Sequence, residues 1–477
     1  MKIEDIDPNE AIQNVKSLLE KEPSLSPALQ AAVSLIILLV EILLKRLGLH
    51  SGNSSKPPSS DFGGNKNEKK RSKTGRKPGG QPGRKGTTLP LVDDPDEVIP
   101  ISIDRSLLSQ NSQYQHHGFE RRQVFDIKIR RYVTEYQAEI VIDQNGNQFV
   151  AQFPERVSHK TQYGENLKAH AVYMSQYQLI PYERIANYFD DVAGIPLSQG
   201  SLVNFNVKAF ELLEVFEAVS KQHLIAGSTL NCDETGINVN GKTIWLHSAS
   251  NNLWTHHYPH MARGSEAMDD IGIIPLFRGI LCHDHWKPYL TYTDCLHSLC
   301  NAHHLRELER AHEQDNQRWA LNILNLLNEI NQVVNQSVTD TVTNEQAKSF
   351  QRRYRNILTR GQRECPRVTQ RPDGKKGKIA QSKSRNLLER LINFEEETLR
   401  FMTEPDVPFT NNLAENEIRM TKVQQKISGC FRSIEGAKVF CRIRGFLTTC
   451  RKHGVSAANA LTDLFSGKLP DFVKPPS

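Results

Sequence analysis

The chain has 477 residues, 38% of them hydrophobic and 24% charged, which fits a soluble protein of two to four domains with flexible parts. Its formal net charge is +6, yet residues 53–88 hold ten Lys/Arg against two Asp/Glu and leave the remainder at about −2. That rules out a uniformly basic protein and predicts one polyanion-binding arm. The eight cysteines all lie at or beyond Cys232, too dispersed for a disulfide framework, so a reducing cytoplasm is expected. The acidic start MKIEDIDPNE is unlike a signal peptide.

In chain order, residues 1–50 form the first expected unit. Ala28 to Leu47 carries no Gly or Pro, and Leu29, Val33, Ile36, Val40, Leu43 and Leu47 make a heptad seam suited to self-association. Leu35, Ile37, Leu38, Leu39 and Leu44 predict burial on further faces. The nearly continuous apolar run, Ala31–Val40, is short of the ~20 residues of a membrane span and is bounded by Gln30 and Glu41, so no membrane is expected. Residues 51–88 are rich in Gly, Ser, Pro and Lys/Arg. They read as a linker disordered when free, whose Lys69, Lys70, Arg71, Lys73, Arg76, Lys77, Arg84 and Lys85 can bind DNA phosphates.

Residues 89–160 read as a small β-rich module. Val124–Ile129 alternates, Tyr132–Ile142 does so less cleanly, and Asn145-Gly146 marks a hairpin turn before Gln148–Phe153. Residues 161–225 read as helices: one over Tyr163–Gln178, one from Tyr182 stopped near Gly194, and one capped by Ser198. The last two resemble a helix-turn-helix with Gln199, Ser201 and Asn204 exposed toward DNA.

From 226 to 304 the pattern is a mixed sheet. Ser228–Val239, the turn Asn240-Gly241, Lys242–Ser250 and Leu253–Tyr258 form a meander, and Ile280–Asp284 is a further strand. Residues 305–402 read as a helical insertion with helices near Trp319–Val334, Glu345–Thr359 and Ser384–Met402. Residues 403–477 return to the core and end in helices. Arg442, Arg444, Arg451 and Lys452 are expected on a DNA-facing side of a helix whose other side carries Phe440, Ile443 and Leu447.

Three carboxylates stand out. Asp233 in LNCDETG and Asp284 in LCHDHWKPY each close a short apolar run, the form of a buried strand. Glu415 lies at a helix start in PFTNNLAENEIR. Asn412 and Glu415 can form a capping box, or Glu415 can turn outward to a metal. Glu234 competes with Asp233, and strand periodicity does not choose between them. Two Mg²⁺ ions roughly 3.5–4 Å apart would stabilise both oxygens of an in-line phosphodiester displacement, and Mg²⁺ takes hard oxygen ligands. Cys295, Cys300, His303 and His304 have a spacing conceivable for zinc, but buried cysteines are the simpler reading and no structural zinc is expected. His303 and His304 can instead orient the acidic site or bind phosphate.

The segments NSSKPPSSD (53–61), GRKPGGQPGRKGTTL (75–89), CDETG (232–236), HSLCNAHHLREL (297–308), PFTNNLAENEIRM (408–420) and KVQQKISGCFRS (422–433) together resemble the insertion-sequence-66 family of bacterial DDE transposases. The resemblance implies an α+β multidomain protein. Its RNase H-like mixed α/β core would carry an all-helical insertion and be preceded by helical and small β-rich DNA-binding parts. It implies a triad of Asp233, Asp284 and Glu415 holding two Mg²⁺ (or Mn²⁺), with Arg419, Lys422 and Lys426 toward DNA. Transposon-end and target DNA are then the expected partners, in a homodimer or higher oligomer at the bacterial nucleoid, with accessory proteins of the same element as further candidates. A nuclease without strand transfer and an inactive DNA-binding regulator are the rival readings. Relatives carry cysteine pairs where residues 89–160 have none. Thr410 and Arg84 depart from the Asp and His that many relatives have.

Overall fold

The computed structural model describes residues 8–22, 25–47, 49, 53, 89–108, 111–369 and 379–474. The arm residues Lys69, Lys70, Arg71, Lys73, Arg76, Lys77, Arg84 and Lys85 lie outside the described residues. Helices α1 (Pro8–Lys21) and α2 (Pro27–Leu47) are joined by the ion pair Lys16–Glu41, 2.7 Å. Of the expected seam, Leu29, Ile36, Val40, Leu43 and Leu47 are exposed and Val33 is half-buried; among the described residues of α2, Ile37 is the buried one. Within one chain, then, α2 shows almost its whole apolar surface. Over Pro27–Leu44 it is long and apolar enough, by length and composition, to cross a membrane.

The expected β-module is much reduced. Strands β1 (Ile140–Ile142) and β2 (Gln148–Val150) make a hairpin with Ile140 opposite Val150, turned at Asn145-Gly146 as expected. The alternating run Val124–Ile129 is extended but belongs to no strand, and Val124 and Ile127 face solvent. Alternation alone does not make a sheet when no partner strand covers the apolar side.

Four helices follow: α3 (Glu165–Val172, continued by a π turn to Tyr177), α4 (Tyr182–Ala193), α5 (Gln199–Leu212) and α6 (Glu214–Ile225). Ser198 caps α5 as its sequence suggests, accepting the Ser201 N–H at 3.0 Å. Their buried residues Ile185, Leu202, Phe205 and Phe216 share one core with Leu230, Leu281 and Phe446, so this helical layer is packed on the sheet.

The sheet has five strands: β3 (Thr229–Val239), β4 (Lys242–Ser250), β5 (Thr255–His260), β6 (Ile280–His283) and β7 (Leu296–Leu299), with α7 (Ser265–Ile271) between β5 and β6. Their order is β5-β4-β3-β6-β7. The first three form an antiparallel meander, while β6 lies parallel to β3 and β7 parallel to β6. Asn240 and Gly241, both at positive φ, make the two-residue turn that pairs Val239 with Lys242.

Beyond β7 come α8 (Asn301–Asp315), α9 (Arg318–Gln336), α10 (Asn344–Glu364), α11 (Lys383–Asn393) and α12 (Glu395–Leu399). Trp319, Ile323, Leu327, Ile330 and Val334 recur every three or four residues on α9 and are all buried, in a core separate from the first. Thr343 and Gln346 close a capping box on α10. The Arg400 side chain, donating to the His297 carbonyl at 2.8 Å, ties this helical part to β7. Helices α13 (Asn412–Ser428), α14 (Ile434–Lys452) and α15 (Ala457–Phe465) complete the fold. Ile418, Phe431 and Phe440 from this region cover Ile237, Ile244 and Leu246 of the meander.

Gly279, just before β6, packs directly against the backbone of Gly227 and Ser228. A Cβ there would lie 2.3 Å from the Ser228 carbonyl and 2.9 Å from that of Gly227. Gly279→Ala should therefore destabilise the fold by about 1–3 kcal/mol or more, the range of overpacking, in urea titration. Wild-type stability in this variant would mean that β6 is not held this tightly.

Candidate active site

The parallel register pairs Thr229 with Ile280 and Asn231 with Cys282. Carried on by two residues past its last pair, that register brings Asp233 near Asp284, whose charge is among those that raise the Asp233 carboxyl. Asp284 follows the last residue of β6 and accepts the Trp286 N–H at 2.9 Å. Asp233 lies within β3, and its carboxylate accepts the backbone N–H of Glu234 at 2.9 Å.

The structure separates Asp233 from Glu234 chemically. Both Glu234 oxygens are occupied: one takes Arg263 at 2.8 and 3.0 Å, the other the Tyr289 hydroxyl at 2.6 Å. The Arg263 guanidinium is itself held over Trp245 and Trp286. Glu234 is thus the buried half of a structural ion pair, its carboxyl raised by burial against the pull of Tyr289 and Arg263. Asp233 has no such cation among its described partners. Burial, then the charges of Glu234, Asp284 and Glu415, push its carboxyl up to about 8.

Glu415 enters from the first turn of α13. The capping position of that helix belongs to Asn411, not Asn412, and the Asn412/Glu415 capping box does not form. Asn411 instead clamps the helix start to the sheet. Its side-chain amide donates to the Cys232 carbonyl at 2.7 Å, beside Asp233, and its backbone N–H donates to the Cys300 sulfur at 3.1 Å. Glu415 is left half-buried, its Oε1 3.9 Å from Cys300 Sγ and 3.8 Å from His303 Nδ1.

The four residues with zinc-like spacing do not converge. Cys295 donates to the Tyr292 carbonyl and His304 is fully buried against the Asn301 side chain at 3.1 Å. Cys300 and His303 alone reach Glu415. His283 is buried and bonded to His297 at 2.9 Å; burial holds it near 3, and it is neutral. Arg390, from α11, reaches the acidic group from the helical insertion. It pairs with Glu307, burial lowers it to about 10, and the Asp284 charge works against that fall.

Gln199 and Asn204 on α5 are exposed, whereas Ser201 is half-buried and bonded to Ser198. On α13, Arg419 and Lys426 are exposed, and Lys422 donates to the Gly236 carbonyl. With Glu415 these three follow the spacing 415, 419, 422, 426, which is one helix face. The basic side expected on α14 is largely consumed inside the fold. Arg442 pairs with Glu217, Arg444 is buried against the Gln176 and Tyr177 carbonyls, and Lys452 pairs with Glu417 at 2.6 Å; Arg451 stays exposed. Glu217 and Glu417 are too remote in sequence for those pairings to be read beforehand. Asn411, Cys300 and Arg390 were likewise missed as neighbours of the site. For Asn411 the signal was its place in the NNLAE stretch; for Arg390 there was none.

A mixed sheet with Asp233 in its central strand, Asp284 just beyond the neighbouring strand and Glu415 on a helix that follows a helical insertion defines the class: an acid-lined centre on a layered α/β core. A family model described as "Transposase IS66 family" matches residues 160–439, more than half of the chain, and the chain belongs to that family. Residues 2–90 match a family of unknown function, DUF6444. The "Uncharacterized protein y4jO" of Sinorhizobium fredii (strain NBRC 101917 / NGR234) is 35% identical over 77 residues, 16% of this chain and 24% of that protein. The chain thus spans about a quarter of the length of this relative.

The two acidic neighbours should respond oppositely to neutralisation. An Asp233 carboxyl raised from its ordinary 3.8 to about 8 binds more protons folded than unfolded between those values. The metal-free protein should therefore lose stability as pH rises from about 4 to about 8 and level off above. Asp233→Asn should remove that decline and be the more stable protein at pH 9, by at least the about 1.4 kcal/mol of a single pKa unit. Glu234→Gln should cost about 1–3 kcal/mol at pH 5, because Arg263 and Tyr289 lose their carboxyl partner, and less at pH 9, since burial raises the Glu234 carboxyl as well. Urea titrations at pH 5 and pH 9 measure both, and the reverse ranking would exchange the roles of the two residues.

Proposed function

We propose that this protein is a DDE transposase: it cuts the ends of its element and joins the 3′-hydroxyls to target DNA by divalent-metal-assisted transesterification. What supports the reading is the proximity of three carboxylates, read from the β3–β6 register carried on to Asp233 and Asp284 and from the charges of Asp284 and Glu415 that raise the Asp233 carboxyl. The core is read as RNase H-like, on the antiparallel meander extended by two parallel strands and on the third carboxylate carried by a later helix.

The donor set suits two Mg²⁺ (or Mn²⁺). It offers hard carboxylate oxygens, and Asp233 is a buried acid opposed by like charges with no cation of its own. Asp233, Asp284 and Glu415 would hold the ions, which when bound stabilise the attacking and leaving oxygens of the phosphodiester. The chain's own groups then do the positioning. The Trp286 N–H fixes one oxygen of Asp284. Arg390, beside Asp284, is placed to neutralise a phosphate. Arg419, Lys422 and Lys426 extend the Glu415 face of α13 as a phosphate track, and residues 54–88 add a sequence-independent grip. Gln199, Ser201 and Asn204 are the candidates for reading the end sequence. Holding two ends implies at least two subunits, and the uncovered apolar face of α2 suits that association.

The test is joining of pre-cut element ends to plasmid in Mg²⁺. Asp233→Asn, Asp284→Asn and Glu415→Gln should each fall to background while still binding ends, and folded Glu234→Gln should keep joining. Nicking without joined product would point to a nuclease, and end binding alone to a regulator. Wild-type joining in any triad variant would remove that residue from the triad. Deleting residues 53–88 should weaken DNA binding generally and flatten its log–log salt dependence by about 0.9 per lost phosphate contact. An unchanged slope would leave the arm as a spacer.

A further inference from the structure

Cys300 occupies the position just before α8, and His303 lies in that helix's first turn, so both side chains leave the same end of the helix. Glu415 comes from the first turn of α13 and meets them: the sulfur, a ring nitrogen and a carboxylate oxygen lie within 4.8 Å of one another. The two distances to Glu415 Oε1 are 3.9 Å from Cys300 Sγ and 3.8 Å from His303 Nδ1. A tetrahedral Zn²⁺ with bonds of about 2.0–2.3 Å separates its ligand atoms by roughly 3.5 Å. Both distances to Glu415 are thus within about half an ångström of that separation.

Two further observations point to a cation. His303 Nδ1 is enclosed and has no hydrogen-bond partner among the described residues, an uncompensated lone pair or N–H. Cys300 is 4% exposed and burial raises its thiol to about 11; against that, its sulfur accepts the Asn411 N–H at 3.1 Å at a helix N-terminus, which helps the thiolate that a bound cation would complete. The set of one sulfur, one imidazole and one carboxylate is softer than the Asp233/Asp284 pair and leaves a fourth position open, as three-ligand zinc sites do.

We propose that Cys300, His303 and Glu415 form a second metal site, for one thiophilic divalent cation of the Zn²⁺ class. It is separate in chemistry from the carboxylate site but shares Glu415 with it. Occupancy displaces the Cys300 proton to solvent and withdraws Glu415 from Mg²⁺. On the transposase reading, which this consequence rests on, Zn²⁺ would be an inhibitor.

The site itself is tested without DNA, by titrating the metal-stripped full chain with Co²⁺ and following near-ultraviolet thiolate-to-cobalt absorption. One equivalent should develop the band, and Zn²⁺ should abolish it. Cys300→Ser should lose the band, His303→Asn should weaken Co²⁺ binding at least about tenfold, and Asp233→Asn should keep both. No thiolate band at saturating Co²⁺, or the same band in folded Cys300→Ser, overturns the proposal. Should Cys300→Ser fail to fold, wild-type affinity in His303→Asn overturns it. The inhibitory consequence is read as the ratio of Mg²⁺-supported joining with and without micromolar Zn²⁺, which should drop in wild type and return toward one in Cys300→Ser. A chain that shows the band but joins no DNA keeps the metal site and loses the transposase reading.

Discussion

Like charge held at one level of a sheet is the constraint on which the rest of this structure turns. The register of β6 along β3 puts two carboxyl-bearing residues side by side, and α13 brings a third. Burial and the neighbouring charges oppose ionisation of Asp233, so its carboxylate by itself costs the fold stability. A fold keeps such a cluster when a cation or a reaction uses it, and family membership supplies that context.

Much of the surrounding architecture can be understood as holding that level. Gly279 lets β6 approach Ser228 closely enough to set the register, and the pair Glu234–Arg263, with Tyr289, braces the opposite face of β3. Asn411 joins three elements, since it bonds β3 through Cys232, starts α13, and touches Cys300 at the head of α8. The insertion is tied to β7 by Arg400 and sends Arg390 back toward Asp284. Thus a helical layer with its own core also contributes charge at the acidic centre.

The local signals in the sequence carried far in the core. The Asn240-Gly241 turn, the Ser198 cap and the apolar period of α9 each depend on neighbours within a few residues, and each element lies where those signals place it. Strand alternation failed at Val124–Ile129, because an alternating segment needs a partner strand and period alone does not supply one. The heptad on α2 finds no covering surface among the described residues, so the seam stays exposed here. The choice between Asp233 and Glu234 was open in the sequence because it is made by Arg263 and Tyr289, 29 and 55 residues away. The basic residues of α14 misled for the same reason: Arg442 and Lys452 find acids that only the fold brings near.

The central claim is that Asp233, Asp284 and Glu415 together bind the divalent ions of a phosphoryl-transfer centre. Crystals grown with Mn²⁺ and pre-cut end DNA, with anomalous scattering recorded from the manganese, test it most directly. The account predicts manganese peaks bounded by carboxylate oxygens of Asp233 and Asp284, with Glu415 ligating, and a DNA 3′ end beside them. Manganese elsewhere in the chain, with the three carboxylates free of metal in the DNA-bound state, would contradict it.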